Sequence, residues 1–373
     1  MKKQLAIFFF LFIWLSAWSQ QFVKTTTPCS NELLQKIPGR WVKEPDNLYA
    51  KISKQQQQEI LNRMDTIHRW VDKLYSPFYG IDVMWYRQIS NIDDFATAYK
   101  YERSPNAGFR GIKVNGIPVI NYFYSAQFRE FNCGREPYEY RRGPGEDGSI
   151  LHISANILTA IFRTVTLGEM AEVMQIEGRP IRMMCPVTGK WKGYDVYSPE
   201  VGSSQKIVLL HRKGMLPYIP VSRKQYIDRC ITYLTKFYDK MIEDKEKVEK
   251  AWGIKPDPSD IEKIENQKKN VFKHYQDEME ATTQAGLLDS PAIISTEMCS
   301  ISNTPIFSAE AEGGKMLVTE NPAYIRKDIP KYIPQFFTIL LEEYKYPFPP
   351  VPDPYKVIVE SFPIEKLQAM IDK

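Results

Sequence analysis

The chain predicts an α+β fold in which antiparallel sheets are covered by amphipathic helices, with a long antiparallel helical hairpin at about 222–286. Three observations carry this. Short apolar runs at 181–185, 191–197 and 207–211 are separated by turn residues, with 187–190 read as the turn between the first two, which is the pattern of an antiparallel meander. Pro217 and Pro220 then fix φ and remove two backbone donors, so 214–221 runs extended. From Ser222 the period changes to that of a helix: Ile227, Cys230, Ile231, Leu234, Phe237, Tyr238 and Met241 lie on one stripe. Sheet, rigid crossover and long helix need one another to bury their apolar faces, so the stretch 190–237 is the organising element.

The beginning of the chain bounds the compartment. Lys2 and Lys3 precede an apolar block at 5–15, and Ala17-Trp18-Ser19 is a small-x-small pattern, so 1–19 reads as a signal peptide cleaved between Ser19 and Gln20. The block is shorter than the roughly 20 residues of a bilayer span. A secreted or periplasmic protein with no membrane span after cleavage is expected, with 20–373 as a single α+β body. Loss of Lys2 and Lys3 lowers the net charge from +4 to +2, which gives no basic excess for nucleic acid.

Five cysteines, Cys29, Cys133, Cys185, Cys230 and Cys299, are too few for a disulfide scaffold, and their pairing stays open. Cys230, on the apolar face of the expected helix, reads as a small buried hydrophobe.

After a proline-broken lead-in, which Trp41 is expected to pin to the body, Ser53 with Gln56 matches a capping box. Ile60, Met64, Ile67, Val71 and Leu74 form the stripe of the helix that follows, ended at Pro77, with His68 at the stripe's edge. The runs 80–87 and 119–124 read as strands. The segment 133–149, with Arg135, Glu136, Glu139, Arg141, Arg142, Glu146 and Asp147, reads as a mixed-charge loop and 149–154 as a strand. A helix is expected over 156–175.

The helix from 223 should end near Gly253, and Asp257-Pro258 should open its antiparallel partner, running to about 285. Ile261, Ile264, Val271, Tyr275 and Met279 give that partner only a thin apolar stripe, so the hairpin should pack at its base and be solvated farther out. The strand-rich segment 287–373 is read as strands at 292–295, 316–319, 336–341 and 356–360, a polyproline strap at 347–354 and a closing helix at 364–372.

The search for chemistry is largely negative. There is no G-x-S-x-G elbow, H-E-x-x-H pair or phosphate loop, and no two of His68, His152, His211 and His274 have metal-ligand spacing. No cofactor or metal is called for. Cys133 with His152 is the one candidate thiol and base. His211-Arg212-Lys213 offers a basic strand end for a carboxylate or phosphate, and Asp82, Glu136 and Asp147 are candidate glycosidase acids. Tyr79, Trp85, Tyr86, Tyr122 and Tyr124, together with Tyr75, Phe78 and Phe123, either close a core or form a platform for a sugar or peptide.

The favoured reading is a non-enzymatic exported protein that binds a partner protein, peptide or glycan through the aromatic strands or the hairpin. The alternatives are an extracytoplasmic hydrolase of glycans or peptides, and a structural component of a surface assembly.

Overall fold

A computed structural model describes residues 21–48, 50, 52–91, 119–142, 148–163, 169–199, 202–253, 258–295, 297–301, 305–347 and 350–373. The expected signal peptide and its cleavage point, Glu146, Asp147 and the Asp257 cap lie outside the described residues.

The architecture is mixed α+β and is built around one large sheet. Its strands are β1 (Trp41–Lys43), β2 (Asn47–Leu48), β3 (Ile81–Asn91), β4 (Ile120–Glu130), β5 (Gly148–Ala155), β6 (Val187–Trp191), β7 (Tyr194–Tyr197), β8 (Gln205–Leu210) and β9 (Phe337–Glu342). The spatial order is β6-β7-β8-β9-β5-β4-β3-β1, with β2 also on β3. Every pairing is antiparallel except those of β1 and β2, which run parallel to β3 at one edge.

One face of this sheet is sealed by α1 (Lys54–Tyr75). The capping box is complete: Gln56 N–H donates to Ser53 Oγ, and Ser53 N–H donates to Gln56 Oε1. Ile60, Met64, Ile67, Val71 and Tyr75 are buried against Val83, Trp85, Tyr122, Tyr124 and Phe128, alternate residues of β3 and β4. At roughly 1.5–3 kcal/mol for each large apolar side chain removed from water, this seam is a main source of stability. Trp41 docks the lead-in as expected, its indole N–H donating to Ser76 Oγ at 3.1 Å.

The opposite face is covered over β8 and β9 by a second sheet. Its strands are Phe162–Arg163, Arg182–Met184, Lys315–Glu320 and Tyr218–Pro220, with Ile293–Ile294 also paired to Lys315–Glu320. Strand alternation lets one element serve two cores. Val318 points to the large sheet, beside Ile207, Leu209 and Leu340, whereas Leu317 points to the helical hairpin.

That hairpin pairs α2 (Arg223–Ala251) with α3 (Pro258–Gln284), antiparallel as the ion pairs Asp239 to Lys268 and Lys245 to Asp260 require. Ser222 and Gln225 cap it reciprocally, and Gly253 ends α2 with φ +66°. Only Val271, Tyr275 and Thr282 of α3 are buried, so the hairpin is anchored at its base, as the thin stripe implies.

Several expectations are corrected. Residues 187–190 are strand rather than turn; the reversal falls at Lys192-Gly193, whose φ of +50° and +89° suits a tight hairpin. The run at 181–185 belongs to the second sheet, so the three-stranded meander is β6-β7-β8. The helix expected over 156–175 does not form across its described residues, which hold a 3-10 turn at Thr159–Ile161, the strand Phe162–Arg163, the short helix Glu169–Val173 and the start of the strand Gln175–Ile176; the rest of that expectation, 164–168, lies outside the described residues. The loop 133–149 contains the strand Glu139–Arg142, which pairs with Gln21–Lys24 and Asn132–Cys133. The run at 356–360 is helical: α4 (Pro354–Ser361) starts at Asp353, whose Oδ1 accepts from the Tyr355 and Lys356 amides. A short α5 (Ile364–Gln368) follows, and both helices pack beside α1.

Candidate functional site

Period-two alternation divides the aromatic residues that the sequence groups together. Trp85, Tyr122 and Tyr124 point to α1 and are at most 8% exposed, so they fill the core. His68 of α1 completes that packing. Its ring lies parallel to Trp85 at 3.8 Å, its Nδ1 meets Tyr124 Oη at 3.2 Å, and burial lowers its pKa. Arg87 closes the same end of the core by ion pairs to Asp46 and Asp65. Tyr79 is half-buried and spends its backbone on bridges to Pro38 and Val351.

Tyr86 and Phe123 point the other way, onto the outward face of β3, β4 and β5. Register places Tyr86, Ser125, His152, Leu340 and Ile207 in one row across five strands. The flanking row on one side holds Gln88, Phe123 and Ser154, and that on the other Met84, Gln127 and Ile150. Leu340 and Ile207 lie beneath the second sheet, whereas Met84, Tyr86, Phe123 and Ile150 belong to none of the apolar clusters formed by the described layers. The row therefore runs from a half-buried aromatic and polar surface to the rim of the second layer, with His152 at the border.

The rings meet edge to face. Phe123 is 5.8 Å from Tyr86 and 5.7 Å from His152, at interplanar angles of 75° and 89°. Burial depresses the His152 pKa to about 4, so its imidazole is neutral at pH 7. Its Nδ1 is sealed from solvent and has no hydrogen-bond partner among the described residues. Ser125 is fully buried, and its Oγ makes no hydrogen bond of ordinary geometry, although the Tyr86 hydroxyl stands close enough to interact. Burial raises the Tyr86 pKa, opposed by Ser125 and the Arg129 guanidinium.

Other candidates are committed elsewhere. Cys133 is bonded to Cys29, with Cα atoms 5.7 Å apart, so it has no thiolate to offer beside His152. Asp82 lies at the far end of the outward face, where its carboxylate accepts the Arg40 backbone N–H at 3.1 Å and Nε at 3.2 Å, with Arg142 Nε at 3.7 Å. Glu136 is exposed in the turn before Glu139–Arg142. Arg212 does receive a carboxylate, but an internal one: its Nε lies 3.0 Å from Asp372, and its guanidinium covers the Tyr324 ring at 4.0 Å. Among the described residues no group of three or more His, Cys, Asp or Glu is arranged to hold a metal ion.

Nothing in the sequence marks Ser125, a serine inside an aromatic run; its position opposite His152 exists only once the register is known. No protein-family model, curated protein or solved structure matches the chain.

Proposed function

We propose that the protein is an exported binding protein rather than an enzyme, and that it holds a neutral, hydroxyl- or amide-rich ligand, a glycan or a peptide, on the outward face around Tyr86, Phe123 and His152. The observation that carries this is the cross-strand row of neutral polar groups, Tyr86, Ser125 and His152, beside edge-to-face rings, with His152 Nδ1 lacking a hydrogen-bond partner among the described residues. A buried polar group left without a partner costs about 1–3 kcal/mol, and a ligand that bonds to it recovers that cost. Aromatic edges with neutral polar groups between them suit sugar rings and peptide planes.

Catalysis is the weaker reading. A base whose pKa is near 4 has little tendency to take a proton from a serine hydroxyl at neutral pH, and general-base catalysis works best with a pKa near the working pH. Cys133 is held in its bridge. The leader-like first 19 residues and the Cys29 to Cys133 bridge both support an oxidising, extracytoplasmic setting.

The test is a binding screen of the purified protein against neutral oligosaccharides and peptides, repeated with Tyr86→Ala and His152→Ala. At least tenfold weaker binding in both variants, with melting temperatures near that of the parent, supports the reading. Undiminished binding in both, or a best ligand that is strongly charged, overturns it.

A further inference from the structure

Two buried thiols meet where the base of the hairpin joins the second sheet. Cys230 lies on α2 one turn after Tyr226, and Cys299 follows the strand Ile293–Ile294 in a loop; they are 0% and 4% exposed. The loop is gripped from both helices. Cys299 N–H donates to Tyr226 Oη at 2.9 Å, and Tyr275 Oη of α3 donates to the Ser300 carbonyl at 3.0 Å. Cys299 has φ +49°, a left-handed conformation uncommon for a residue other than glycine, so these contacts hold it in a particular place. Its thiol lies 3.5 Å from Met174 Sδ, and Cys230 and Cys299 share one buried cluster in which both thiols neighbour Tyr226 and Tyr275. Cys185, the third thiol, belongs to the separate apolar layer between the two sheets.

We propose that Cys230 and Cys299 are a second disulfide-forming pair, which bonds α2 to the segment after Ile293–Ile294 when the chain folds in an oxidising compartment. Both are thiols in this structure. Forming the bond removes one proton from each sulfur and passes two electrons to a disulfide-bearing oxidant, such as glutathione disulfide, which leaves as two thiols. The same oxidant class makes the Cys29 to Cys133 bridge, and Cys185 keeps its thiol. The bond staples the root of the hairpin to the body, at the point where both helices already converge on one loop. This inference does not depend on the ligand proposed for the large sheet.

Refolding the full chain in a glutathione redox buffer, quenching with acid, and counting alkylatable thiols in denaturant tests it directly. The expected result is one thiol per chain, together with a proteolytic fragment pair in which the Cys230 and Cys299 peptides are joined and about 2 Da lighter than the two thiol peptides. Cys185→Ser should bring the count to zero. Three thiols in the refolded, cooperatively melting protein overturn the proposal, as does a bridge that contains Cys185. The wild-type count needs no substitution, so misfolding of a variant does not blur the outcome.

Discussion

Ser125 and His152 are direct cross-strand neighbours on β4 and β5, and His152 Nδ1 is shut away from solvent with no hydrogen-bond partner among the described residues. The burial that isolates the imidazole also keeps it neutral. Stability should therefore depend on pH with a definite sign. The unfolded chain takes up a proton as pH falls through about 6.5, but the folded chain does so only near 4. Stability contributed by this group is present above about pH 6.5 and is lost as pH falls toward 4, with an upper limit of about 3–4 kcal/mol. Denaturant melts of the parent and His152→Gln between pH 4 and 7 check it: the variant should lose part of the acid sensitivity. His68, whose pKa burial also lowers, supplies a second contribution of the same sign that the variant retains.

Adjacent residues of β3 should respond in opposite ways. Trp85 is packed beneath α1 and stacked on His68, so Trp85→Ala should cost about 3–5 kcal/mol of stability. Tyr86, one residue on, is half-buried on the other face, and Tyr86→Ala should cost under about 1.5 kcal/mol while weakening ligand binding. Chemical denaturation of both variants distinguishes them; equal stability losses would mean that the pleat does not separate core from surface here.

The bridge between Cys29 and Cys133 closes a loop of 104 residues in sequence and ties the first strand to the body. Cys29→Ser with Cys133→Ser should lower stability by about 2–5 kcal/mol. Limited proteolysis of that variant should release fragments from 21–37 before the rest of the chain is cut. A melting temperature unchanged from the parent would contradict a structural role for the bridge.

The hairpin tolerates shortening only down to its anchored base. The described side chains within 243–264 are mostly exposed, so replacing that segment with a short loop should keep cooperative melting within a few degrees of the parent. A cut extended through 276 removes Val271 and Tyr275, which are packed on Leu317 and Ile294, and should cost about 3–5 kcal/mol or more. Thermal melts of the two deletions separate appendage from anchor.

Much of this architecture is readable in the sequence where local chemistry and burial agree. Both capping boxes, at Ser53 and Ser222, and the stripes of α1 and α2 form as their spacing implies, because each stripe meets a sheet that needs covering. Where local signals compete, reading fails. Asp353-Pro354 carries the same cap-and-proline signature as Asp257-Pro258, yet the surrounding prolines suggest an extended strap and conceal α4. Lys192-Gly193 is a less conspicuous turn than the glycine-containing run before it, so the hairpin is displaced by several residues. The candidate site is harder still. Tyr86 and His152 are visible as residues, but the split of the rings between two faces, and the meeting of Ser125 with His152, depend on register between strands far apart in the chain.

The outward row of Tyr86, Ser125 and His152 is proposed to receive the ligand. Nitrogen-15 chemical shifts of the His152 imidazole, recorded at pH 7 with and without a saturating glycan or peptide hit, test it most directly. The expected result is a neutral ring in both states with a shift of Nδ1 on binding, as the orphaned nitrogen gains a partner. A binding-competent protein whose His152 resonances do not move would contradict the placement of the site.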